Sequence, residues 1–225
     1  MDNPLPQVSA TAYALGIVSG AALALALGCP LFASFVYLPL YVCSVATFHF
    51  LEYFCTASYQ PARVDVSSFV LNDTALYHVA HATALSECLV ELWLVPGFKK
   101  NPGLRPVKLV GLLLTVAGQC TRSLAMKTAG QNFSHVIQRK KEQGHVLVTH
   151  GIYAYLRHPS YVGFFYWALG TQLLLLNPLS LCLCAVLLYR CFSSRIRYEE
   201  GCLTHFFGKD YVAYKRTSRI GIPFI

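Results

Sequence analysis

Long apolar runs separated by short polar breaks dominate the chain. Ala10–Leu27 carries no charge and is long enough for a first membrane span. Cys29-Pro30 reads as a tight turn, and Leu31–Leu51 as a second span kinked at Pro39. Glu52 to Asp73, with Pro61 inside it, reads as a polar loop. Leu76–Pro96 gives a third span, interrupted by His78, His81, Glu87 and Glu91. These two pairs fall on roughly opposite helix faces, which suits packing against neighbouring helices. Gly97–Pro106 is a turn holding Lys99, Lys100 and Arg105, and Val107–Ala125 is a fourth span bracketed by Lys108 and Arg122.

The pattern then changes. Residues 127–157 are polar and basic, a length of loop that usually carries function. Pro159 to Tyr189 follows without one charge. Asn177-Pro178 splits that run near 161–176 and 179–193, each half roughly 22–24 Å long against a ~30 Å hydrocarbon core. The expectation is a helical hairpin that returns to the face it entered, so that the loop before it and the tail after it meet. The fold class is therefore an all-α integral membrane protein of about six spans. It reads as one domain: four N-terminal spans over 1–126, then loop, hairpin and C-terminal segment over 127–225.

Composition agrees, with 55% apolar and only 12% charged residues and a mean hydropathy of +0.48. Average soluble domains carry about a quarter charged. Charge is unevenly divided. Residues 1–121 hold five Lys/Arg and six Asp/Glu; residues 122–225 hold thirteen and four. The basic half suits an anionic headgroup or cofactor, and no nucleic-acid motif accompanies it. The loop and tail, rich in Lys and Arg, predict a cytosolic face. The turn at Lys99, Lys100 and Arg105 then falls on the other side, against that rule. Asn72-Asp-Thr74 and Asn132-Phe-Ser134 match the glycosylation pattern but would both be cytosolic. The first residues lack a basic region, so Ala10–Leu27 reads as a retained anchor, and Gly16-x-x-x-Gly20 within it permits helix packing. Nine cysteines without a Cys-x-x-Cys read as buried hydrophobes, with no metal site expected.

The candidate chemistry lies in the second half. Arg157-His158-Pro159 precedes a span, and a residue before proline is pushed into extended geometry. Arg195 and Glu199 are four apart on one helix, so a cation and a carboxylate share a face. Tyr153, Tyr161, Phe164 and Phe165 could hold a sulfonium or cover a lipid tail. Further strings are Thr128-Ala-Gly-x-Asn-Phe-x-His135-x-x-Gln138, His145-x-Leu-Val-Thr149-x-Gly-x-Tyr153, Arg157-His-Pro-Ser-Tyr-Val-Gly163, Gly170-Thr-Gln, Asn177-Pro, Glu199-Glu200, His205-Phe-Phe-Gly208 and Ile222-Pro-Phe-Ile225.

From about Phe48-His49-x-x-Glu52-Tyr53 onward, these strings resemble the isoprenylcysteine carboxyl methyltransferases, multi-pass enzymes of the endoplasmic reticulum membrane with a cytosol-facing site. Arg-His-Pro-x-Tyr-x-Gly alone is shared with sterol reductases and phospholipid methyltransferases; the full set is more specific. The resemblance implies methylation of the C-terminal carboxylate of a farnesylated or geranylgeranylated cysteine by S-adenosylmethionine. Partners would be prenylated CaaX-type proteins, such as small GTPases or lipidated peptides, and membrane lipid. Cofactor contacts would come from Gln138, His145, Val146, Leu147, Val148, Tyr153, His158, Pro159, Ser160, Tyr161 and Glu199. Arg195 would meet the substrate carboxylate, with Arg157 the second candidate for that catalytic role. The rivals are a phospholipid (amine) methyltransferase, which would need a base and would face a repelling Arg195, and a membrane sterol reductase, usually longer.

Overall fold

The computed structural model describes residues 4–28, 36–71, 75–141 and 143–225. The Cys29-Pro30 turn, the start of the second span at Leu31 and the Asn72 pattern lie outside them. The described chain is all-helical: α1 (Leu5–Gly28), α2 (Tyr37–Tyr59), α3 (Ala75–Leu94), a short α4 (Pro96–Lys100), α5 (Arg105–Ala129), α6 (Pro159–Leu175), α7 (Pro178–Phe207) and α8 (Lys209–Thr217). Among the described residues, four helices are long and apolar enough to cross a membrane: α1, α2, α5 with its flanking turns, and α7.

Several boundaries differ from the sequence reading. Pro39 sits in the first turn of α2 as described, where a proline displaces no intrahelical bond; the part of the expected span before it, residues 31–35, lies outside the described residues. The supposed loop from Glu52 is helical as far as Tyr59, because its polar residues are buried against other helices. The helix break at Asn177-Pro178 stands, but α7 runs on through the charged tail to Phe207. Its 30 residues make about 45 Å, more than a bilayer core.

At 17 residues, α6 is about 25 Å long, and it is the helix most enclosed by protein. It lies against α5 at backbone contact. A Cβ at Gly118 would stand 2.5 Å from Trp167 N, and one at Gly163 2.6 Å from Arg122 N. Gly170 meets Thr115 N at 2.5 Å in the same way, and Gly111 meets Leu174. These glycines recur every seven residues on each helix. Gly16 and Gly20, by contrast, have nothing within 4 Å.

The α6–α7 turn is clamped by α3 and α4. Lys99 Nζ donates to Leu175 O (2.7 Å), Leu176 O (3.0 Å) and Asn177 Oδ1 (2.7 Å), and pairs with Glu91 (2.7 Å). Glu87 accepts from Leu179 N (2.8 Å) and Ser180 N (2.7 Å). A cation thus caps the C-terminus of α6 and an anion the N-terminus of α7, each matching the local helix dipole. Glu87, Glu91 and Lys99 thus hold the α6–α7 turn in place.

Candidate active site

Pro159 opens α6, and His158 before it leaves helical geometry (φ −127°, ψ 54°) while its carbonyl takes Tyr161 N and Val162 N at 3.1 Å each. The buried His158 ring stacks on Tyr161 with centroids 5.7 Å apart. Tyr161 OH donates to Glu199 Oε2 at 2.7 Å and accepts from Arg195 Nε at 3.3 Å. Arg195 also donates from Nη2 to His135 O at 2.7 Å. The start of α6, the middle of α7 and the long loop therefore converge on Tyr161. Phe192 backs that ring, stacked 5.1 Å away.

Arg157 is engaged elsewhere. Its Nε donates to Glu200, and its Nη1 to Ser218 O at 2.8 Å. Glu200 also pairs with Lys215 (2.6 Å) and faces His158 Nε2 at 3.4 Å. Leu156 and Arg219 form a parallel bridge, and Ile222 is buried among Val162, Phe165, Phe192 and Ile196. Arg157 thus ties α7 and the C-terminal segment to the entrance of α6.

The loop supplies the rest. Asn132 Oδ1 accepts from Val146 N at 2.8 Å, pinning the run at 145–148, which forms neither helix nor strand. His145 lies against Phe207, centroids 5.3 Å apart. Gln138 Nε2 reaches Ser134 Oγ at 3.2 Å. Leu147 and Val148 are half-buried and Val146 exposed. Gly151 takes φ +58°, with a Cβ there 2.9 Å from Thr128, so the chain turns sharply before Tyr153. Tyr153 accepts at its carbonyl from Tyr214 OH (2.6 Å) and packs beside Phe133 and Met126. Burial, with the Glu199 charge adding, pushes the Tyr153 phenol above its ordinary value and keeps it neutral. Tyr161, Arg195 and Glu199 form one hydrogen-bonded cluster with His158 stacked on Tyr161; Arg157 joins through Glu200; Gln138 and the run 145–148 sit on the neighbouring loop. Among the described residues no group of three or more His, Cys, Asp or Glu is placed to hold a metal ion.

Comparison with known proteins bears on this arrangement. Residues 110–205 match the model of the isoprenylcysteine carboxyl methyltransferase (ICMT) family. The chain is 47% identical to the Saccharomyces cerevisiae protein-S-isoprenylcysteine O-methyltransferase, over 99% of this chain and 93% of that protein. It is 40% identical to the Homo sapiens protein of the same name, over 99% of this chain and 76% of the human one. This chain belongs to the isoprenylcysteine carboxyl methyltransferase family. The solved structure of the eukaryotic intramembrane Ras methyltransferase ICMT, without a monobody, superposes with a TM-score of 0.87 at 38% identity, covering 94% of this chain and 74% of that one.

The candidate site of this isoprenylcysteine carboxyl methyltransferase family member also has a buried support that the sequence pattern leaves unassigned. Glu52 on α2 is fully buried and pairs with Arg122 on α5 through two bonds, Nε–Oε1 at 2.6 Å and Nη2–Oε2 at 2.7 Å. Arg122 Nη1 continues to Ser160 Oγ at 3.0 Å. The guanidinium lies beside the adjoining Phe48 and Phe164 rings, 5.4 and 5.5 Å from their centroids. Ser160 is thus fixed from below by a desolvated ion pair. The available signal was a lone arginine and a lone glutamate each adjoining an apolar run.

Proposed function

We propose that this chain methylates the C-terminal carboxylate of prenylated cysteine in CaaX-type proteins, with S-adenosylmethionine as donor. The Arg195–Tyr161–Glu199 cluster carries the reading: a cation and a carboxylate are held apart by one hydroxyl, beside a loop free of regular structure. The residues fit the donor's chemistry. The half-buried Glu199 offers acceptors to an ammonium or ribose hydroxyl, the open backbone of 145–148 can meet a purine edge, and aromatic rings of His158 and Tyr161 suit a sulfonium. S-adenosylmethionine bound there supplies an electrophilic methyl on a cationic sulfur.

The acceptor needs no base, because an α-carboxyl group titrates at about 3.3–3.7 and is ionised at neutral pH. Arg195 pairs that carboxylate and orients it. Anion and cation combine to neutral products, so the protein's exclusion of water assists. Arg157 acts as a positioning residue through Glu200 and Ser218. A prenyl tail gains about 0.8 kcal/mol per buried CH₂ in lipid, which accounts for a membrane-borne site. We infer six spans, α1, α2, α3, α5, α6 and α7, in a single domain of the endoplasmic reticulum membrane. The short α6 is sheltered by protein, which relieves it of spanning length. The basic loop and tail support a cytosolic site.

The test is transfer of labelled methyl from S-adenosylmethionine to N-acetyl-farnesylcysteine, with N-acetylcysteine as control, in membranes containing the chain. Base-labile label on the prenylated acceptor alone is expected. Arg195→Ala should cost roughly 30-fold or more in kcat/KM for the acceptor, the scale of removing one partner of a buried charge pair. Label on phospholipid amines instead would overturn the assignment.

A further inference from the structure

One exposed stripe of α7 changes character along its length. Leu179, Leu183 and Val186 are 75%, 50% and 55% exposed. Arg190, Ser194, Arg197, Gly201 and His205 continue the same stripe, all exposed and all within about 100° of arc at the helical repeat. The face carrying Arg195, Ile196 and Glu199 points away from it. The switch from apolar to cationic comes at Tyr189-Arg190, an aromatic–basic pair of the kind that marks a membrane interface.

Beyond that switch the stripe becomes one wall of a groove. Arg139, Arg197, Tyr198, His205 and Phe206 line a cavity of about 370 Å³, and among the described residues none that lines it is a carboxylate. The loop wall is anchored: Lys141 Nζ donates to Phe206 O at 3.3 Å and lies 4.6 Å over the Phe207 ring, which keeps Arg139 opposite α7. Arg197 is held by Ser193, Nε to its carbonyl at 3.1 Å and Nη2 to its hydroxyl at 3.2 Å. A guanidinium has five N–H donors, so more remain for a ligand. Arg197 stands about 10 Å beyond Arg190 along the axis, within reach of a headgroup layer for long, snorkelling side chains.

We propose that this groove seats the headgroup of an anionic phospholipid whose acyl chains lie along Leu179, Leu183 and Val186. The guanidinium groups of Arg139 and Arg197 grip the phosphate, and the headgroup's net negative charge, which phosphatidylcholine lacks, balances the basic surroundings. The proposal depends on α7 crossing the membrane and not on methyl transfer.

Photo-crosslinking of the full chain in phosphatidylcholine nanodiscs tests it. Photoactivatable phosphatidylserine and photoactivatable phosphatidylcholine are compared, and labelled peptides are mapped by mass spectrometry. The serine lipid should label residues 139–141 and 190–206 at least about fivefold more strongly, the gain from one basic contact at a membrane surface. Arg139→Ala/Arg197→Ala should abolish the excess, and Arg139→Glu alone should remove most of it. Arg216→Ala, an exposed cation on α8, should retain it. Equal labelling by both lipids, or an excess that survives both groove variants, would overturn the proposal. So would loss of the excess to millimolar inorganic phosphate, which would make the groove a soluble-anion site, or an absence of lipid labelling, which would leave it to an acidic protein segment.

Discussion

At the residue scale, two charge pairs of opposite legibility build the site. Arg195 and Glu199 are four apart on one helix, so their shared face follows from periodicity alone. Glu52 and Arg122 are 70 residues apart on different helices, and no local pattern joins them. Glu52 read as the edge of a loop and Arg122 as the end of a span, since each adjoins an apolar run. Their pairing exists only once α2, α5 and α6 pack. A desolvated ion pair penalises loss of one partner far more than loss of both. Glu52→Gln should therefore destabilise by about 3–5 kcal/mol, because it leaves the Arg122 guanidinium uncompensated. Glu52→Met/Arg122→Met should recover much of that loss. Thermal unfolding of the detergent-purified protein measures both, and a double variant no more stable than Glu52→Gln would refute the argument.

At the element scale, contact between α5 and α6 rests on glycine spacing. Gly16-x-x-x-Gly20 has the familiar spacing, yet a Cβ at either position would meet nothing within 4 Å among the described residues. The seven-residue repeat of Gly111/Gly118 and Gly163/Gly170 was equally visible, but its meaning depended on which helices pair. The break at Asn177-Pro178 was legible because proline cannot continue a helix and asparagine caps one. The length of α7 was not, because the end of apolarity marks the end of a span and not of a helix. Gly118→Ala and Gly163→Ala should each cost about 1–3 kcal/mol or more, since a methyl must displace backbone rather than a mobile side-chain tip. Gly16→Ala and Gly20→Ala should leave the melting temperature unchanged. Equal effects at the two motifs would show that the α5–α6 contact is looser than described.

At the scale of the whole molecule, the division of charge between the two halves is the basis of the proposed orientation in the membrane. The basic loop and tail argue for one cytosolic face, and the turn with Lys99, Lys100 and Arg105 argues against it. Lys99 answers part of that objection. It is 4% exposed and spends its charge on the end of α6 and on Glu91, so it acts as a helix cap and not as an orientation signal. Lys108 is withdrawn likewise, donating to Lys99 O at 2.6 Å and lying 4.1 Å over the Tyr37 ring. Counting only exposed cations, the weight shifts further toward the loop and tail. A linker-flanked glycosylation tag placed between residues 101 and 104 should therefore be modified in microsomes, and the same tag between 140 and 143 should not. Lys99→Met should lower the yield of folded protein by leaving Glu91 and the α6 carbonyls without their partner, yet keep the tag pattern unchanged. A reversed pattern in the unsubstituted chain would place the site on the lumenal face, out of reach of a cytosolic donor, and a pattern reversed by Lys99→Met alone would make that lysine a topological signal after all.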